Sequence, residues 1–159
     1  MKLRVGIGYD VHKLEEGLPF CIGGIEIESH VGTLGHSDGD VLIHAIIDSL
    51  LGASNLRDIG FQYPDNKKEY KGIDSKVLLK DTLSKIKEKG YRIENIDTVI
   101  CLQNPKIGKY IPLMQETLAK VLEINVDDIT IKATTTEKLG FVGREEGVAS
   151  HCVCLISKG

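Results

Sequence analysis

The first dozen residues constrain the fold most. In KLRVGIGYDVHKL every second position from Leu3 to Val11 is apolar or aromatic: Leu3, Val5, Ile7, Tyr9, Val11. That period of two specifies a strand with one apolar face. The other face reads Arg4, Gly6, Gly8, Asp10 and His12. It therefore turns a carboxylate and an imidazole the same way, next to two glycines that weaken a strand and leave open space. Packing alone does not call for that arrangement, and a ligand using the space is the expectation.

The remaining segments fit around this strand, placed at about 2–10. A short hairpin is expected over Phe20–Ile27, turning at Gly23-Gly24, followed by the glycine-rich loop GTLGHSDGD. A helix is expected over 39–53 with Asp38 or Asp40 near its start, then a long functional loop over 54–73. Leu78, Leu79, Leu83 and Ile86 have helical spacing within 75–89, with Gly90 as a C-cap. A strand at 94–103 precedes a helix from near Pro112 to near Leu122. Strands at 129–134 and 148–156 complete the chain. The order predicts an α+β two-layer sandwich, a mixed four-stranded sheet with helices on one face plus a small hairpin. Residues 1–159 read as a single domain. The sheet's second face is then uncovered, and the last strand is apolar on both sides, so self-association is expected.

The formal net charge of −3 gives no reason to expect nucleic acid or an anionic membrane as partner, and no apolar run has the length of a membrane span. A cytoplasmic location follows as the expectation, or an organellar one if a transit peptide is absent from this sequence. Cys21, Cys101, Cys152 and Cys154 lack zinc-finger spacing and read as small hydrophobes in a reducing compartment.

Asp10 and His12 are two ligands where a catalytic zinc site has three and an open position. His44, in VLIHAIIDSLL, is the best third, with Asp48 able to orient an imidazole from behind. Asp40, His44 and Asp48 form one polar stripe on an otherwise apolar helix. Two readings fit His36 and Ser37 in GHSDGD: an anion site at a helix start, or an ordinary N-cap. The segment KATTTEKLGFVGREEG gathers hydroxyls, charges and free backbone. There Glu137 suits magnesium and Arg144 suits a phosphate or an ion pair. In DIGFQYPD and LQNPKI, Asp58 or Asp65 could bond sugar hydroxyls and the Gln103–Ile107 backbone could read a base edge; from the residues alone a structural turn is the favoured reading of either.

Together GYDVH (8–12), IGG (22–24), HSDGDVLIHAIIDSLLGA (36–53), DIGFQYPD (58–65), KGIDS (71–75), NPKI (104–107) and KATTTEKLGFVGREEG (132–147) resemble, in order and over nearly the full length, the 2-C-methyl-D-erythritol 2,4-cyclodiphosphate synthase family of non-mevalonate isoprenoid biosynthesis. The resemblance implies a homotrimer whose sheets face a threefold axis, with active sites at subunit interfaces. It implies an intramolecular reaction in which the 2-phosphate of a cytidine diphosphate substrate attacks the β-phosphorus and expels CMP. By this likeness Asp10, His12 and His44 hold Zn2+, and Glu137 joins Mg2+ or Mn2+ between the α- and β-phosphates. His36 and Thr135 position phosphates and stabilise the transition state, with Ser37 beside them. Asp58, Ile59 and Gly60 meet the ribose, and Leu102, Gln103, Asn104, Pro105, Lys106 and Ile107 meet cytosine. Tyr63, Pro64, Asp65, Asn66 and Lys67 cover the methylerythritol part. Ala133, Thr134 and Thr136 flank the phosphates, and Phe141 and Arg144 lie near a central cavity. Members often read Phe-Pro-Asp-Thr-Asp in that covering loop, often have Phe at the place of Tyr9, and some have Glu at the place of His151. The same three zinc ligands would also serve a phosphoesterase that activates water; a trimer that binds a nucleotide without chemistry is a third possibility.

Overall fold

The computed structural model describes residues 1–159. Its first strand, β1 (Lys2–Glu16), is longer than the alternation predicts. The small hairpin follows as β2 (Phe20–Ile22) and β3 (Ile25–Ile27), then β4 (Val31–Leu34). Helix α1 (Val41–Ala53) leads to a single turn, α2 (Ile59–Gln62), and to α3 (Ser75–Glu88). Strand β5 (Arg92–Cys101), helix α4 (Ile111–Leu122) and strand β6 (Ile129–Thr134) follow, then the short α5 (Gly140–Gly143) and β7 (Gly147–Lys158).

The main sheet has five strands in the order β4-β1-β7-β5-β6, one more than expected. The extra strand is β4, which overlaps the start of the stretch read as glycine-rich loop. Four residues carry too little alternation to register, and β4 owes its conformation to antiparallel pairing with the far end of β1, Lys13 to Glu16. Only β5 and β6 are parallel, joined across α4, so the sheet is mixed.

Local chemistry sets the helix ends. Asp40, with no exposed surface, caps α1 by accepting from Ile43 N. Asp74 caps α3 through Lys76 N, and Gly90 (φ +84°) takes the left-handed position just past its end. Helix α1 is buried almost all round and lies across β1 and β7.

Gly6 and Gly8 do not leave open space. A Cβ on Gly8 would sit 1.9 Å from the Ala45 carbonyl oxygen, and one on Gly6 1.9 Å from that of Ser49. Both glycines let the α1 backbone settle directly on β1, at a separation no other residue permits. The space inferred from sequence is taken up by helix, and that close approach brings His44 to the Asp10–His12 face.

The opposite face of the sheet is uncovered in the single chain. Val5 is 70% and Ile7 72% exposed, with Leu3, Tyr9, Val11 and Val153 beside them. All four cysteines are free, and Cys152 and Cys154 are buried. No helix is long and apolar enough to cross a membrane.

Candidate metal centre and substrate cleft

Three side chains from β1 and α1 converge. Asp10 Oδ2 lies 2.8 Å from His12 Nε2 and 3.1 Å from His44 Nδ1, and the two imidazole nitrogens are 3.1 Å apart. In a tetrahedral zinc site with bonds near 2.0–2.1 Å, ligand atoms stand about 3.3–3.4 Å from one another. The triangle needs to open by only a few tenths of an ångström to admit such an ion.

The surrounding hydrogen bonds decide which atoms offer lone pairs. His12 Nδ1 lies 3.0 Å from the Leu34 carbonyl oxygen, which can only accept, so the proton sits on Nδ1 and Nε2 is free to coordinate. Burial would raise the Asp10 carboxyl's pKa, but hydrogen bonds and charge from His12 and His44 outweigh it and lower it to about 2. Burial would lower that of His12; the hydrogen bond and charge of Asp10, with the Leu34 carbonyl, raise it instead. An ionised carboxylate and two nitrogens that share one small volume form a cage for a cation, and the Asp/His/His donor set suits zinc-like ions.

The triad forms one wall of a cleft of about 280 Å³ lined by His12, His36, Ser37, His44, Ile59, Gly60, Tyr63, Asp65, Tyr70 and Leu78. His36 Nε2 donates to the Lys67 carbonyl oxygen (3.2 Å), and Gly72 N donates to that of His36 (2.7 Å). The segment from Tyr63 to Ile73 is thereby fastened over the cleft at two points. Tyr63 is buried: its hydroxyl donates to Asp81 Oδ2 (2.7 Å) and contacts Thr82 Oγ1 (3.0 Å), so it anchors this segment to α3 and lends the cleft only its ring. Asp65 faces the cleft, while Asn66 and Lys67 are exposed, as is Asp58, ion-paired with Arg57 at 3.2 Å. Pro64 is half-buried.

Asp48 does not orient an imidazole. Its Oδ1 accepts from Ile59 N (3.0 Å) and holds the start of α2. Asp40 binds the hairpin turn, accepting from Gly23 N (3.0 Å) and Gly24 N (2.7 Å). Of the predicted stripe only His44 reaches the triad. The residues behind it are instead Ser75, whose Oγ is 2.9 Å from His44 Nε2, and Ser37, at 3.1 Å. Ser75 looks in sequence like an ordinary helix start, and nothing local links it to a histidine 31 residues earlier.

The other predicted residues lie elsewhere. Leu102 N donates to the Thr134 carbonyl oxygen (2.9 Å), and Lys138 N donates to Gln103 Oε1 (3.2 Å), which ties the 102–107 and 134–138 segments together. Leu102 and Ile107 are buried in the core; Asn104 and Lys106 are exposed, and Pro105 is half-buried. Ala133, Thr134 and Glu137 are exposed, Thr135 and Thr136 half-buried, and Glu137 (φ +54°) and Lys138 (φ +66°) hold consecutive left-handed conformations. Phe141 packs near Gly147, and Arg144 pairs with Glu146 at 2.8 Å. In register, Val11 faces Ala149, Ala149 faces Cys101 and Cys101 faces Thr134. The two groups therefore share one end of the sheet but stand three strand spacings apart, about 14 Å.

The sequence profile of the YgbB family matches residues 3–157. The 2-C-methyl-D-erythritol 2,4-cyclodiphosphate synthase of Bacteroides thetaiotaomicron is 58% identical over 99% of each chain, and that of Cytophaga hutchinsonii 54% identical over 99% of each. Among solved structures, the bifunctional IspDF of Campylobacter jejuni superposes with a TM-score of 0.95 at 40% identity, covering 99% of this chain and 43% of that one. A CDP-bound 2C-methyl-D-erythritol-2,4-cyclodiphosphate synthase superposes at 0.90 with 34% identity, covering 97% of this chain and all of that one. With nearly every residue matched, the triad and cleft in place and relatives this similar, the chain belongs to the YgbB family, the 2-C-methyl-D-erythritol 2,4-cyclodiphosphate synthases.

Proposed function

We propose that this chain converts 4-diphosphocytidyl-2-C-methyl-D-erythritol 2-phosphate to 2-C-methyl-D-erythritol 2,4-cyclodiphosphate and CMP. The observation that carries the reading is a lone-pair triad on the wall of a cleft, in a fold whose relatives include a CDP-bound synthase. An oxygen of the 2-phosphate forms the new bond to the β-phosphorus. The bond from that phosphorus to the bridging oxygen breaks, and CMP leaves with the electron pair. A phosphate dianion needs no general base near neutral pH, so the protein's work is to hold two anionic groups together in line.

Asp10, His12 and His44 would hold zinc, which would supply Lewis-acid charge to offset the repulsion between phosphates. His36 and Ser37 face the same cleft and orient phosphate oxygens, while Gly60 and Asp65 take the sugar-like portions. Glu137 would hold Mg2+ or Mn2+ through its carboxylate, and that ion would add positive charge to the diphosphate when substrate binds. Thr135 stabilises the transferring phosphoryl group, and the Leu102–Ile107 backbone reads cytosine.

The distance of about 14 Å between the triad and the Thr134–Glu137 segment supports an active site built between chains. Residues 1–159 act as one domain of a homotrimer, its uncovered apolar faces, Val5 and Ile7 foremost, turned to the threefold axis. Phosphorus NMR of the reaction tests the chemistry: a cyclic diphosphate with stoichiometric CMP is expected, and a linear phosphate product would identify a hydrolase instead. Light scattering should return three times the chain mass; a monomer at micromolar concentration would contradict the assembly.

A further inference from the structure

The bonds behind His44 run in one direction. Asp38 grips Ser75 with both carboxylate oxygens: Oδ2 accepts from Ser75 N at 3.0 Å, and Oδ1 accepts from the Ser75 hydroxyl at 2.5 Å. A carboxylate can only accept, so the hydroxyl hydrogen of Ser75 is committed to Asp38. Ser75, with no exposed surface, then presents only lone pairs to His44 Nε2, 2.9 Å away. That approach is attractive only if Nε2 carries the imidazole proton. Nε2 therefore keeps its proton, and Nδ1, 3.1 Å from Asp10 Oδ2, is the nitrogen left to meet a cation.

Without this chain the balance would tip the other way. Ser37 Oγ is 3.1 Å from the same nitrogen, and its hydrogen is free to donate to an unprotonated Nε2. A proton on Nδ1 could then bond Asp10, and the metal position would be filled by hydrogen bonds among the ligands themselves.

We infer that Asp38 and Ser75 are positioning residues that fix the Nε2–H tautomer of His44 and so keep Nδ1 available to the metal. The inference rests on the metal reading of the triad given above. It also connects the metal to the cleft cover, because Ser75 opens α3 where the fastened segment ends.

Nitrogen-15 NMR of His44 in metal-free protein tests this without activity or metal. The unaltered chain should show a proton on His44 Nε2. Ser75→Ala should shift His44 toward Nδ1–H, and zinc competition with a chelator should then show affinity weakened about 10–100-fold. Asp38→Asn keeps the side-chain shape, places an amide where one acceptor oxygen stood, and should move both readings the same way; its circular dichroism reports whether the fold is kept. Wild-type tautomer and wild-type zinc affinity in a folded Ser75→Ala chain would overturn the proposal. Failure of the unaltered chain to take zinc would sink the metal reading, and the tautomer measurement would still judge the chain of bonds.

Discussion

The two halves of the proposed site are built in opposite ways. The triad half is preorganised within one chain: its ligands sit on a long strand and a buried helix, and each imidazole is held from behind by Leu34 or Ser75. The Thr134–Lys138 half is largely exposed, runs off the end of β6, and carries two left-handed non-glycine residues in succession, Glu137 and Lys138. Such backbone conformations persist where the surroundings enforce them and cluster at functional sites. A half that binds before substrate arrives needs internal rigidity, and a half that meets substrate and a neighbouring chain takes its final contacts from them.

His44→Ala should break this contrast most severely. It removes a ligand from the rigid half, so zinc content measured by mass spectrometry should vanish and CMP release should fall on the order of 10³-fold. Glu137→Gln should leave zinc content and oligomeric mass unchanged while lowering turnover about 100-fold, a deficit that rising magnesium does not restore. Loss of zinc in that variant, or full activity at limiting magnesium, would show that the two halves are not separate.

Gly8→Ala tests where the rigidity comes from. Its Cβ would meet the Ala45 carbonyl oxygen at 1.9 Å, so α1 must lift from β1. Denaturant unfolding should show a loss of about 1–3 kcal/mol or more, and zinc affinity should fall with it because His44 rides on that helix. The smallest effect is expected at Asp48, which holds one backbone amide. Asp48→Asn should lower stability by about 1 kcal/mol or less and leave zinc affinity as it is. A tenfold loss of affinity would restore the orienting role its place in the sequence suggests.

The contrast also marks what could be read in advance. The β1 alternation, the helices around Leu79 and Met114, and the Asp10–His12 pair depend on neighbours in sequence, and side-chain period alone reveals them. His44 was accessible because a histidine stands out in an apolar helix. Three things depended on contacts between distant residues. Strand β4 exists through its pairing with β1, Gly6 and Gly8 through a helix that begins more than thirty residues later, and Ser75 through Asp38 and His44. A glycine pair looks the same whether it faces a ligand or a helix backbone, so alternation alone does not tell packing from open space. Glu137 and the Gln103–Ile107 backbone stand out within their own segments, but only the family resemblance joins them to the triad, since one chain does not bring them together.

On the proposed assembly one chain supplies the rigid half and its neighbour the exposed half. Co-refolding equal amounts of the His44→Ala and Glu137→Gln chains tests this division. Each variant alone should be nearly inactive. In random trimers about one quarter of the interfaces pair an intact triad with an intact Glu137, so CMP release should recover to about a quarter of the wild-type rate. A mixture no more active than its two parents, with mixed trimers confirmed by native mass spectrometry, would place both halves in a single chain and rule out a site shared between neighbours.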